Sequence, residues 1–179
     1  MERTREDRFE ELFREHYGAV RGYALRRVPR DLAQDAVSET FLVAWRRLDE
    51  VPEEPLPWLY GTAKHVLANR RRDAARHARR IGAAAAESGA LNAASDPAER
   101  LAERDAALRA FTGLSEPDRE ALRLVAWERL SLAEAARAAG VSRPAFAMRV
   151  HRARRRLAAR LRDQDAALDL DFPLEPADV

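Results

Sequence analysis

The sequence predicts an all-α protein of two small helical domains joined by a flexible linker. Three observations predict it. Large apolar residues recur every three or four positions over several stretches, the period of one helix face, and no period-two alternation of the kind strands show appears anywhere. Pro29, Pro52 and Gly113 fall between those stretches, where a chain that cannot continue a helix must turn. Between the two helical blocks, residues 81–95 (IGAAAAESGALNAAS) carry almost no large apolar side chains. Such a segment buries too little surface to offset the entropy of ordering it, although an alanine helix is the competing reading on propensity.

Each element follows from its own residues. Phe9, Leu12, Phe13, His16, Tyr17, Val20, Tyr23 and Ala24 share helical spacing, and Pro29 stops the run. Asp31 and Gln34 form a capping pair for a second helix, which turns Ala33, Val37, Phe41, Ala44 and Leu48 to one face. Asp35, Ser38, Glu39, Leu42 and Arg46 take the other face, with Trp45 near the border. Pro52, Pro55 and Pro57 predict an irregular connection. A third helix is expected to start near Trp58, bury Trp58, Leu59, Ala63, Val66 and Leu67, and run into an arginine block. Beyond the linker, Asp96, Pro97 and Glu99 start a helix with Leu101, Leu108 and Phe111 on one face, and Gly113 ends it. Ser115 and Asp118 open the next, which carries Leu122, Val125 and Trp127. The expected boundaries are 5–78 for the first domain, 79–95 for the linker, 96–162 for a four-helix second domain and 163–179 for an acidic tail.

The stretch Ser131–Arg162 is the most informative. Ser131 with Glu134 fits a capping box, Gly140 supplies a left-handed stop, Ser142 caps a second helix and Pro144 sits in its first turn. Phe146, Val150, Ala153, Leu157 and Leu161 form the apolar face of that second helix. Two short helices, a glycine turn and a basic second helix make a helix-turn-helix, a duplex-reading unit; the bland alternative is a solvated basic face on an ordinary helical hairpin.

Charge supports the DNA reading through its distribution. The net charge is only +2, but Asn69–Arg80 holds six arginines and one acid, Arg143–Arg162 holds eight arginines and no acid, and the last seventeen residues hold six acids and no base. Two basic blocks far apart in sequence suit two contacts with a polyanion. The acidic tail following the most basic helix suggests weak intramolecular competition with DNA, against the plainer reading of a solubilising tail; deleting it would then raise DNA affinity and steepen its salt dependence.

Several chemistries are excluded on residue content. No cysteine is present, so disulfides, thiolate nucleophiles and cysteine-bound zinc are out. The four histidines (His16, His65, His77, His151) show no metal-ligand spacing, and no glycine-rich phosphate loop occurs. No enzyme activity, cofactor, metal or small-molecule substrate is expected. The N-terminus lacks the apolar core of a secretory signal, and no run approaches the roughly 20 apolar residues needed to span a bilayer, so a soluble cytoplasmic protein is expected.

Taken in series, these stretches resemble one family. DLAQDAVSETFLVAWRRLDEV (31–51), PWLYGTAKHVLANRRRD (57–73), FTGLSEPDREALRLVAWERLSLAEAARAAGVS (111–142) and RVHRARRRL (149–157) are similar to the extracytoplasmic-function (group 4) sigma factors of bacterial RNA polymerase, within the sigma-70 family. The resemblance implies a transcription initiation factor that binds core RNA polymerase and directs it to promoter DNA, reading a −35 element as duplex and a −10 element as a melted strand. It makes Asp35, Ser38, Glu39 and Trp45 the core-polymerase contacts. It assigns −10 DNA to Lys64, His65, Asn69, Arg70, Arg71, Arg72 and Arg76, with the flipped base held in a short loop matching about Lys64–Asn69; the aromatics Trp58 and Tyr60 lie beside this set, Trp58 being expected in the core. It assigns −35 duplex to Ser142, Arg143, Ala145, Phe146, Ala147, Arg149, Arg152, Arg155 and Arg156, of which Arg152, Arg155 and Arg156 suit phosphates, which position without specifying. Three departures stand out: His65 where many members carry asparagine, Gly61–Thr62 in place of Arg–Ile, and P-A-F-A-M at 144–148 in place of G-T-V-K-S. The family often adds an anti-sigma factor, membrane-bound or soluble, as a further partner. The alternative is a stand-alone helix-turn-helix repressor or activator that uses only 115–162.

Overall fold

The computed structural model describes residues 4–81 and 98–170, and no strand occurs among them. The order is α1 (Arg5–Leu25), α2 (Arg30–Arg46), a single 3-10 turn at Leu48–Glu50, α3 (Pro55–Ile81), α4 (Ala98–Thr112), α5 (Glu116–Ala126), α6 (Leu132–Ala139) and α7 (Arg143–Leu170). By contact the chain divides into two compact units, Met1–Asn92 with Ala133–Val141, and Ala93–Leu132 with Ser142–Val179.

In the first unit α1, α2 and α3 pack pairwise against one another. A capping box starts α1: the Thr4 hydroxyl accepts from the Asp7 N–H, and the Asp7 carboxylate accepts from the Thr4 N–H. The apolar faces expected from spacing meet in the core, where Leu12, Val20, Tyr23, Ala33, Val37, Phe41, Ala44 and Leu48 are buried with Leu59, Ala63, Val66 and Leu67. Tyr60 joins them, stacked on Tyr23 at 4.8 Å between ring centroids, while Arg27 lies over the Tyr23 ring at 3.4 Å. Along one edge, Phe9, Phe13, Tyr17, Phe41 and Trp45 form a chain of tilted and edge-on ring contacts between α1 and α2, the geometry that ring quadrupoles favour.

Two local expectations are corrected here. Helix α2 starts at Arg30, before Asp31, and its cap position is Pro29 with no side-chain cap bond; Asp31 sits in the first turn, where a negative charge suits the helix dipole. Helix α3 starts at Pro55, so Pro55 and Pro57 lie inside its first turn and only Pro52 remains in the connection. A proline there lacks an N–H that would have had no partner within the helix in any case. At its other end α3 continues through Ile81, past the expected linker start at 79; residues 82–95 lie outside the described set.

In the second unit α7 packs on α4 and α5. Phe111, Leu114, Leu122 and Ala153 cluster with Leu157 against them. The Ser115 hydroxyl caps α5 by accepting from the Asp118 N–H, and Gly113 follows the last residue of α4, both as the sequence predicts. Helix α5 turns Leu122 and Leu124 inward, whereas Trp127 is 49 % exposed with its ring edge-on to Phe111. Helix α7 runs on to Leu170, so the backbone of the acidic tail starts as a continuation of the basic helix.

Candidate interfaces for polymerase and DNA

Three surfaces carry the residues singled out above. The first is the outward face of α2. Asp35 and Ser38 are exposed and Glu39 half-buried, and the Ser38 hydroxyl donates to the Gln34 carbonyl at 3.1 Å. The two acids converge on one cation: Arg70 of α3 donates from Nη1 to Asp35 at 3.0 Å and from Nε to Glu39 at 3.0 Å. Trp45 stands apart from this group. It packs edge-on to Phe9 at 5.2 Å, under the Arg5 guanidinium, which also donates to the Trp45 carbonyl. Leu42, 53 % exposed, sits three residues beyond Glu39 on the same outward face, as does Leu32 near its start at 47 %. Helical spacing places Leu42 outward, as the sequence predicts.

The second surface is the outer side of α3. His65, Asn69, Arg72 and Arg76 are all exposed and follow one another at four, three and four residues, one continuous stripe along a helix. Arg72 donates to the Asn69 side chain and Arg76 to Asp73. The other three cations leave the stripe: Arg70 turns to α2, Arg71 donates to the Arg27 carbonyl at 2.9 Å, and Lys64 donates to the Ala139 carbonyl at 2.7 Å within the first unit. Positions 64–69 are helical throughout, not a loop; alanine, leucine and arginine are good helix formers and nothing between Thr62 and Ile81 breaks the run. Tyr60 is 3 % exposed and belongs to the core, so it offers no stacking surface, while Trp58 is half-buried.

The third surface is α7 and the turn before it. Gly140 takes φ +72°, with its N–H bonded to the Arg137 carbonyl and the Val141 N–H to that of Ala136. This left-handed stop favours glycine because a Cβ would crowd the following carbonyl. The Ser142 hydroxyl accepts from the Ala145 N–H at 3.4 Å. Arg143, Ala145, Met148, Arg152 and Arg155 are exposed, and Ala147 and Arg149 half-buried. Phe146 corrects the sequence reading. It is fully buried, because its position falls on the same helix face as Val150 and Ala153, so it anchors α7 and cannot reach a base edge. Arg156 is tied down too: it pairs with Asp118 of α5, a carboxylate whose side chain is only 7 % exposed.

These positions match two sigma-factor modules in series. The family model for Sigma-70 region 2 matches residues 12–77, and that for Sigma-70, region 4 matches residues 104–157. The RNA polymerase sigma factor CarQ of Myxococcus xanthus is 34 % identical over 163 residues, which is 85 % of this chain and 90 % of that protein. The chain belongs to the sigma-70 family, in its extracytoplasmic-function group. Two solved structures share its architecture. RpoE of Bartonella quintana, in complex with the anti-sigma factor NepR, is 25 % identical with a TM-score of 0.69, over 86 % of this chain and 96 % of that one. CnrH, in complex with the cytosolic domain of CnrY, is 25 % identical with a TM-score of 0.55, over 92 % of this chain and 89 % of that one. Helices α1 to α3 thus carry region 2, and α4 to α7 carry region 4. Among the described residues no cluster of potential metal ligands occurs and no helix is long and apolar enough to cross a membrane.

Proposed function

We propose that this sigma factor binds core RNA polymerase through the outward face of α2 and directs it to promoters with two DNA contacts. In this reading Asp35, Ser38 and Glu39 meet the polymerase, with Trp45 holding α2 at the correct angle on α1. The stripe His65, Asn69, Arg72 and Arg76, flanked by Lys64, Arg70 and Arg71, follows the melted −10 strand, where cations track phosphates and planar or amide groups meet unstacked bases. Helix α7 enters the major groove of the −35 duplex, with Ser142, Arg143, Ala145, Ala147 and Arg149 near base edges and Arg152 and Arg155 on phosphates. The observation that carries this reading is the pairing of the two modules in one chain. A helix-turn-helix alone serves many repressors, whereas region 2 upstream of it serves initiation.

The functional partition follows as 5–78 for polymerase and −10 contacts, 96–162 for −35 contacts and 163–179 as an acidic extension, with no catalytic task for either part. The factor works in the cytoplasm on the chromosome. That both solved relatives are complexes, one with a named anti-sigma factor, supports an anti-sigma partner for this chain as well.

The test is transcript mapping after raised expression in a bacterial host. Induced transcripts should start downstream of a shared pair of elements, one near −35 and one near −10. Induced start sites with no common upstream sequence would refute promoter recognition by this chain.

A further inference from the structure

Met148 is 56 % exposed, more than any other large apolar side chain among the described residues. A single exposed apolar residue is unremarkable in itself; its position gives this one meaning. It lies in the second turn of α7, three residues after Ala145 and four before Arg152, on the line of exposed positions that runs along the helix. Phe146 and Val150, on the opposite face, are buried at 0 % and 4 %, which fixes the rotation of α7 and holds Met148 outward. The basic side chains do not fill this spot. Arg143 precedes it by more than a turn, Arg149 is half-buried beside it, and the dense arginine run starts only at Arg152. The first two turns of the helix therefore present an apolar strip, Ala145 and Met148, bordered by cations.

In the major groove the one apolar group on a base edge is the C5 methyl of thymine. An arginine or asparagine at this position would seek a purine; a flexible thioether chain finds no hydrogen bond there and gains only by covering a methyl group. We infer that Met148, with Ala145 beside it, selects thymine in the −35 element through its C5 methyl. The inference rests on the reading of α7 as the −35 helix.

Deoxyuridine differs from thymidine by that methyl alone, which makes the test direct. Holoenzyme assembled from core polymerase and the full chain is bound to a −35 duplex in which each thymidine is replaced by deoxyuridine in turn. At one or two positions the unmodified factor should lose affinity about fourfold, the effect of uncovering one methyl-sized group. Met148→Ala, matched in thermal unfolding, should bind the thymidine and deoxyuridine duplexes equally, and Met148→Leu should keep the discrimination. Promoter-specific binding with no deoxyuridine effect at any position would overturn the inference, and so would full discrimination by Met148→Ala. If base-pair changes in the −35 element do not alter binding at all, the underlying −35 reading fails and the inference falls with it, a result distinct from the first two.

Discussion

Arg70 of α3 lies between Asp35 and Glu39 of α2, with both contacts at 3.0 Å. The outward acids of α2 are thus joined to α3, the helix proposed to follow the −10 strand, by a single forked guanidinium. All three side chains are between a third and two-thirds exposed, so water and salt screen the pair, and its contribution to stability is about 0–1 kcal/mol. Replacing Asp35 and Glu39 together by alanine should leave thermal unfolding within that range while weakening capture of the factor by immobilised core polymerase. Unchanged capture would remove this face from the polymerase interface.

The Arg156–Asp118 pair differs in kind. Asp118 is buried beneath an arginine that is itself 58 % exposed. Removing Arg156 leaves a buried carboxylate without its cation, at a cost of about 1–3 kcal/mol, discounted for the water that reaches the vacated side. Arg155, one residue away and fully outward, anchors nothing comparable. Urea unfolding should therefore separate Arg156→Ala from Arg155→Ala, whereas the salt dependence of duplex binding should fall for Arg155→Ala. Equal stability of the two variants would count against the anchoring role.

Phe146 and Arg149 divide in the same way along α7. Phe146→Ala opens a fully buried site, and a loss of about 3–5 kcal/mol is expected. All duplex binding should weaken, with no change in sequence preference among the molecules that remain folded. Arg149→Ala should leave stability nearly unchanged and weaken −35 duplex more than random duplex. Equal loss on both sequences would make Arg149 a phosphate contact instead.

Much of this was legible in sequence, because apolar spacing alone aligned the cores of α1, α2 and α3. Gly140 and Ser115 announced their turns, since few residues take a left-handed stop or cap a helix so readily. The prolines at 55 and 57 misled: a proline marks a boundary without saying on which side of it the helix lies. Phe146 misled by its place in the first turn of the helix proposed to read the −35 duplex, although its own spacing with Val150 and Ala153 already put it in the core. Asp118 with Arg156, and Arg70 with its two acids, were beyond reach. Each joins residues on different helices more than thirty positions apart, and local patterns carry no information on such pairs.

His16 supplies a pH signature. Its imidazole is buried, and burial holds its pKa below the ordinary 6.5, with Glu15 pulling part of the way back. The folded state therefore favours the neutral ring and binds a proton less readily than the unfolded chain. Stability from this group is complete above about pH 6.5 and is lost as pH falls from there through the lowered folded value. The urea midpoint of the unmodified factor should drop more between pH 7.5 and pH 5.5 than that of His16→Gln. Parallel pH profiles would show that His16 does not titrate differently on folding.

The most direct test of the central claim is run-off transcription reconstituted from purified core polymerase, this factor and DNA carrying a mapped start site. The account predicts a discrete transcript that requires both proteins and disappears when either upstream element is scrambled. Failure of the factor to join core polymerase, or the same transcript from core alone, would contradict it.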